Sequence, residues 1–146
     1  MPETGERLDP FMAFRFLVRA DGDAMGGFSE VTGIQAEIEV TDVAEGGVNT
    51  FVHKLPGRTR HPNLVLKRGL VGPDLWSWFR EISEGSVTRK TVAVELMDPA
   101  GASASARWVF DAAFPCKWNG PDLRGGQSSV AVEGVELCHH GFQMEE

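Results

Sequence analysis

Residues 91–118 read TVAVELMDPAGASASARWVFDAAFPCKW, and this stretch decides the fold class. Val92, Val94 and Leu96 occupy every second position, which is the period of a β-strand. The segment DPAGAS then supplies turn residues, and alternation resumes after it. A connection this short joins antiparallel strands, because a parallel pair needs a crossover of a dozen or more residues.

The second strand of this pair contains many large apolar side chains. Its alternation predicts that one face holds six side chains: Trp108, Phe110, Ala112, Phe114, Cys116 and Trp118. Pro115 has no N–H to donate to a neighbouring strand, so we expect it at a sheet edge or a bulge.

Further strand patterns occur at 14–18, 63–70 and 129–140. Between them, Ile34, Ala36, Ile38 and Val40 alternate with Gln35, Glu37, Glu39 and Thr41, which predicts a strand with one apolar and one solvated face. Six or seven strands and one helix indicate a mainly β protein. The predicted fold class is an antiparallel β-sandwich or small barrel with one short α-helix.

The helix is predicted from GPDLWSWFREISEG, residues 72–85. Its apolar stripe at i, i+3, i+4 and i+7 is expected to face the core and consists of Leu75, Trp78, Phe79 and Ile82. Pro73 suits the first turn, and Gly85 can adopt the left-handed conformation that ends a helix. Trp76 lies off the stripe and is expected to be partly exposed.

Composition excludes some classes of protein. Of the 146 residues, 14 are Lys or Arg and 21 are Asp or Glu, so the net charge of −7 argues against a nucleic-acid binder. The basic residues between 54 and 68 are interpreted as a surface that forms ion pairs or is solvated, rather than as a phosphate-binding groove. No secretory signal is recognised and no apolar run is long enough to span a membrane, so we expect cytoplasmic synthesis. The two cysteines are interpreted as buried free thiols.

Three regions are distinguished along the chain. Residues 1–10 are polar and contain two prolines, which predicts a flexible N-terminal arm. Residues 11–146 are expected to form a single domain. Within it, glycines and prolines at about 42–62 predict a long loop or an extended hairpin arm.

Catalytic motifs are not found. The sequence contains neither a phosphate-binding glycine loop followed by Lys nor a GxSxG segment, so we expect no enzymatic activity and no cofactor. His53 and His61 are interpreted as surface or interface residues.

The nearest approach to a metal site is formed by Cys116, Cys138, His139 and His140. Because adjacent strand residues point to opposite faces, the two histidines are not expected to reach one ion, and no metal is predicted.

Four runs carry a resemblance to a known family: EGGVNTFVHKLPGR (45–58), PNLVLKRGL (62–70), AFPCKWNGP (113–121) and VAVEGVELCHHGF (130–142). Together with FRFLV, GGFSEVTGI and DLWSWF, they resemble the tail-tube proteins of contractile phages and of extracellular contractile injection systems. The resemblance covers nearly the entire chain after residue 10. Two departures are Val48, where a second Asn is usual, and the cysteines, which replace small apolar residues.

The resemblance implies a barrel-like subunit, akin to the tube protein of type VI secretion, that forms stacked six-membered rings around a lumen. Expected partners are identical copies, sheath subunits, baseplate or spike proteins, and cargo or DNA in the lumen, without stable membrane insertion. Incorporation into a phage or phage-tail-like particle is also expected. Residues predicted at the subunit interface are Glu45, Gly46, Gly47, Asn49, Phe51, His53, Lys54 and Arg58. Glu37 and Glu39 are predicted to face the lumen.

Two alternatives stay open at this point. Within the family, the chain fits a minor subunit that links the tube to the baseplate or spike. Outside it, the residues also fit a stand-alone small β-barrel that binds a ligand or acts as an enzyme.

Overall fold

The computed structural model describes residues 14–44, 46–47, 50–98, 104–121, 123, 125 and 133–145. These residues form nine β-strands and one α-helix, which confirms the predicted mainly antiparallel β fold with one short helix. The elements in chain order are β1 (Phe16–Ala20), β2 (Asp23–Thr32), β3 (Glu37–Val43), β4 (His53–Arg60), β5 (Leu64–Val71), α1 (Pro73–Ser83), β6 (Lys90–Met97), β7 (Ala104–Asn119), β8 (Glu133–Cys138) and β9 (Phe142–Glu145).

Of the two predicted architectures, the structure has the barrel. Seven of the described strands are hydrogen-bonded in the order β6-β1-β2-β5-β8-β7-β9, and β6 also pairs with β7. The β6–β7 pairing closes six of these strands into an antiparallel barrel. β9 continues β8 along the same edge of β7, since Phe114 faces Cys138 and Phe110 faces Phe142 in one register.

The helix covers one end of the barrel. α1 contacts β2 and β7, which lie on opposite sides of the ring of described strands, so a helix that touches both must lie across its opening. Leu75 and Trp78 are fully buried and join the core, and Ile82 packs against it. Gly72 precedes the helix, with Pro73 in its first turn, and Gly85 follows with φ +99°. The predicted helix over 72–85 therefore begins and ends as its flanking residues indicate.

The prediction that β7 presents six apolar residues on one face is wrong. Phe110 and Ala113 are both completely buried, although they are three residues apart. The register with β6 shifts between them, and Ala112 takes a positive φ of 50°. A second shift next to Pro115 leaves Cys116 exposed. Each bulge inserts one residue and so inverts the facing of every residue that follows.

The remaining two described strands form a separate antiparallel hairpin, β3–β4, which we call the arm. Every residue of β3 is exposed, so Ile38 and Val40 of the predicted apolar face are not covered by the described part of the subunit, whereas Ile34, which precedes β3, packs against the core. The arm thus begins in β3, earlier than the expected boundary near residue 42. Alternation indicated a strand correctly, but it carries no information about which surface covers that strand.

No helix among the described residues is long and apolar enough to cross a membrane. The predicted N-terminal arm, residues 1–10, lies outside the described residues, and so does the beginning of the predicted last strand, residues 129–132.

Candidate assembly surfaces

The arm displays apolar side chains on both of its faces. In its register Val40 lies opposite Pro56, and Thr41 lies opposite Leu55. Because successive residues point to opposite sides, Ile38 and Val40 share one face, whereas Leu55 belongs to the other. Ile38, Val40 and Leu55 are 53, 58 and 52% exposed. Neither face of the arm is therefore covered by the described part of the barrel.

The exposed surface continues from the arm towards its tip. Phe51 is 58% exposed and Val52 44%, and the Phe51 ring packs edge-on against His53 at 5.0 Å between centroids. Gly47 has φ +93°, a conformation that favours glycine at the turn. An apolar tip on a hairpin with two uncovered faces is unusual for a subunit that stays alone, because isolated hairpins are marginally stable in water.

The predicted interface residues fall on or beside this arm. Gly46 and Gly47 lie in the turn, Lys54 faces Asp42 across the hairpin, and Arg58 is exposed on β4. Glu45 and Asn49 lie outside the described residues. The role of all these predicted residues at a subunit interface stays a prediction.

The two carboxylates predicted to face a lumen also lie on the arm. Glu37 is opposite Arg60 in the register, and Glu39 is 3.5 Å from the Arg60 guanidinium. Both partners of that ion pair are largely exposed to solvent, so the pair stabilises the arm only weakly. Which compartment these carboxylates face in an assembly stays a prediction.

The base of the arm is held where two connections cross. Gly33 has φ +93°, and a Cβ there would overlap the carbonyl oxygen of Asn63. Nδ1 of His61 lies 3.3 Å from the carbonyl oxygen of Gln35. These contacts join the β2–β3 connection to the β4–β5 connection, beside a cleft of about 580 Å³. The arm accordingly leaves the barrel from a close-packed base.

The side chains of two histidines contact each other next to the base of the arm. The rings of His61 and His139 are 5.4 Å apart, and the backbone N–H of Gly141 donates to Nδ1 of His139 at 3.1 Å. Burial, and next the positive charge of His61, lower the pKa of His139. His139 is thus favoured in its neutral form. The sequence did not predict that His61 and His139 contact each other, because this contact depends on the fold.

The helix contributes a second exposed aromatic surface. Trp76 is 44% exposed, and its ring is 4.9 Å from Trp118 and 6.0 Å from Phe79. The two bulges of β7 together restore the original facing, so Trp118 lies on the core-facing side as alternation predicted, opposite the buried Val135 and partly buried against the core. The pair Trp76–Trp118 lines an open cleft of about 500 Å³.

The two histidines considered as metal ligands contact different parts of the protein. The ring of His139 packs on Phe110 at 4.9 Å, whereas Nε2 of His140 lies 3.3 Å from Nη1 of Arg89. In the described part of the chain, three or more His, Cys, Asp or Glu side chains do not gather in a metal-binding arrangement. Both cysteines are free thiols, but Cys116 is exposed and Cys138 half-buried, so the interpretation of both as buried is wrong.

Comparison with solved structures shows where this fold occurs. The chain is similar to a subunit in the anti-feeding prophage baseplate, with 24% identity over 95% of this chain and 97% of that one, at a TM-score of 0.73. It is also similar to a subunit of an extracellular contractile injection system, the PVC sheath–tube complex, with 22% identity over 99% of both chains and a TM-score of 0.74. Hcp1 from Flavobacterium johnsoniae shares 12% identity over 90% of this chain and 94% of that one, at a TM-score of 0.52. At these identities the likeness establishes a common fold.

Sequence comparison establishes the family. No curated protein matches the chain. Residues 12–143 match the family model of the T4-like virus tail tube protein gp19, which confirms the family predicted from the four sequence runs. Because this match extends over nearly the full length, the chain belongs to the family of T4-like virus tail tube proteins.

Proposed function

We propose that this protein is a structural subunit of the inner tube of a contractile injection apparatus, either a phage tail or a phage-tail-like particle. Subunits form hexameric rings, the rings stack into a hollow tube, and contraction of a sheath drives that tube through a target envelope. The family and the tube fold support this proposal. The role is mechanical and needs no cofactor and no catalytic turnover.

The observation that carries the proposal is the arm with two uncovered faces. Ile38 and Val40 on one face and Leu55 on the other are each more than half exposed. Burying such side chains contributes about 25 cal/mol per Å² of apolar area, so an arm of this kind gains stability by lying between two surfaces. In a stack of rings, the face with Ile38 and Val40 packs on the neighbouring subunit and Leu55, nearer the tip, packs on the next ring, while Glu37 and Glu39 nearer the base stay uncovered.

The same arm offers main-chain edges for this assembly. The barrel of described strands closes on itself through the β6–β7 pairing, whereas β3 and β4 each pair on one side only. A strand with one free edge can extend the sheet of another chain by main-chain hydrogen bonds. Identical copies that associate head to tail close into a ring when the rotation between them is a whole fraction of a turn.

The interior of the tube is acidic in this proposal. Glu37 and Glu39 line the lumen with exposed carboxylates, so that acidic cargo or DNA passes without adhering. The net charge of −7 is consistent with such a wall. A tube structure with both carboxylates on the sheath-facing surface would contradict this part of the proposal.

Sheath and baseplate proteins are the further partners. The similar solved subunits come from a sheath–tube complex and a baseplate. The aromatic surface at Trp76 and Trp118 is available for such contacts. The subunit is made in the cytoplasm and is then incorporated into the particle.

Electron microscopy of negatively stained protein tests the proposal. At high concentration the wild-type protein is expected to form rings or tubes, and a strictly monomeric protein would contradict the proposed function. Val40→Asp places a charge on one face of the arm and is expected to abolish assembly while the circular dichroism spectrum is unchanged. Val87→Asp is the matched control, since Val87 is equally exposed at 58% but lies outside the arm. Tubes formed by Val40→Asp as readily as by the control would exclude the arm as the interface.

The similarity to a baseplate subunit favours one variant of this proposal, a minor subunit that joins the tube to the baseplate or spike. The two roles differ in the number of copies per particle. Quantitative mass spectrometry of purified particles separates them, because a main tube protein is present in many rings and an adaptor in one or a few.

A further inference from the structure

The two cysteines of the chain lie on neighbouring strands, next to a bulge. Cys138 ends β8 and faces Phe114 of β7. Cys116 is in β7, where the register shifts between Pro115 and Lys117 and one extra residue is accommodated. The bulge makes Cys116 exposed, while Cys138 is half-buried.

A single side chain joins the two sulfur atoms. Nδ2 of Asn63 donates to Sγ of Cys116 at 3.5 Å, and Sγ of Cys138 donates to Oδ1 of Asn63 at 3.4 Å. Cys116 in turn donates to the carbonyl oxygen of Glu136 at 3.5 Å. Because one carboxamide contacts both sulfur atoms, the thiols converge on the same small volume between β7 and β8.

The charge state of Cys116 reflects this neighbourhood. Although the residue is exposed, its sulfur atom is partly shielded from solvent, and this partial burial raises the pKa of the thiol; the hydrogen bond and charge of Cys138 and the charge of Glu136 raise the pKa further, to about 12. At neutral pH very little Cys116 thiolate exists, and the thiolate is the reactive form. The dithiol is therefore stable in a reducing compartment and reacts slowly with oxidants.

We propose that Cys116 and Cys138 form a modification site, which a small-molecule disulfide such as oxidised glutathione converts into a disulfide within one subunit. One protein thiolate attacks a glutathione sulfur, the glutathione S–S bond breaks, and one reduced glutathione leaves. The second protein thiolate attacks the protein sulfur of the mixed disulfide and releases a second reduced glutathione. Two protein thiols are oxidised, one glutathione disulfide is reduced, and the two protons pass to the released glutathione thiols.

The bond links the end of β8 to the bulge of β7. It replaces the two weak sulfur contacts of Asn63 by a covalent connection and closes the long segment between residues 116 and 138 into a loop. Closing a loop restricts the unfolded chain and so stabilises the folded one. The site uses residues of a single subunit, so it does not depend on the proposed assembly.

The test is oxidation of the full-length folded protein with oxidised glutathione at pH 8, followed by intact-mass spectrometry without reductant. The wild-type mass is expected to fall by two hydrogen atoms, and peptide mapping is expected to locate the bond between residues 116 and 138. The midpoint of thermal unfolding is expected to rise by roughly 5 °C and to return on reduction. Cys116→Ser and Cys138→Ser are the matched controls, each expected to carry one persistent glutathione and to show no such rise.

Two results would overturn the proposal. One is a wild-type protein that retains bound glutathione on both thiols, which would mean that the sulfur atoms cannot approach each other. The other is a disulfide between two subunits on non-reducing electrophoresis, which would assign the exposed thiol to intermolecular contact. Both readouts come from the wild-type protein and hold even if a variant does not fold.

Discussion

Replacement of Trp78 by alanine tests the assignment of α1 as the cover of the barrel. Trp78 is 2% exposed, and its Nε1–H donates to the carbonyl oxygen of Thr88 at 2.7 Å. Truncation of a buried tryptophan costs about 3 to 5 kcal/mol through the lost transfer energy and the cavity. The lost hydrogen bond adds little, because Thr88 is exposed and water can bind its carbonyl. We therefore expect the free energy of unfolding to fall by about 4 kcal/mol.

The assay is urea denaturation of the unassembled subunit, followed by far-ultraviolet circular dichroism. Trp78→Phe keeps most of the buried ring but loses the hydrogen bond, and its expected cost is about 1 to 2 kcal/mol. Trp76→Ala is the matched control on the same helix, where 44% exposure predicts a cost of about 1 kcal/mol. If Trp78→Ala cost no more than Trp76→Ala, the assignment of α1 as part of the core would be refuted.

Three further predictions concern single positions. Gly69→Ala adds a Cβ that would overlap a carbonyl oxygen and an aromatic ring on the facing strand. Thermal unfolding is therefore expected to show that the free energy of unfolding falls by about 2 kcal/mol or more. Gly120→Ala is the control and should change it very little, because nothing lies within 4 Å of a Cβ at that position. Burial and the charge of His61 lower the folded-state pKa of His139 below 6.5, so as the pH falls the unfolded chain takes up a proton at this residue before the folded protein does. The free energy of unfolding, measured by urea denaturation at a series of pH values, is therefore expected to fall as the pH drops through 6.5. His139→Gln should flatten that dependence. Glu95 is only 15% exposed and contacts two arginine side chains, so Glu95→Gln is expected to cost about 1 to 2 kcal/mol in urea denaturation, and an unchanged midpoint would contradict a stabilising network.

The helix and most strands follow from local sequence signals. The stripe at Leu75 and Trp78 and the flanking Pro73 and Gly85 predict α1, because helix period and end residues act over a few positions. Short turn-rich connections predict antiparallel pairing for the same reason. Single residues also marked irregular points, as Pro115 did for the bulge that follows it.

Other features needed the tertiary structure. Alternation predicted Phe110, Ala112 and Cys116 on one face, but bulges between Phe110 and Ala113 and beside Pro115 interrupt that facing, and a bulge depends on the partner strands on both sides. The contact of His61 with His139 and the convergence of Cys116 and Cys138 on Asn63 also join positions far apart in the chain. Local pattern does not encode such contacts, because they arise from the order of strands around the barrel.

The sequence by itself determined an acidic, mainly β chain with one core-facing helix, and its motifs determined the family. Only the tertiary structure decided that the sheet closes into a barrel and that residues 37–60 leave it as an arm. The physical reason is that hydrophobic alternation specifies a face to be buried but not the surface that buries it. Closure of the barrel pairs both edges of its six strands, and it leaves the apolar faces of the arm, at Val40 and Leu55, exposed on the subunit.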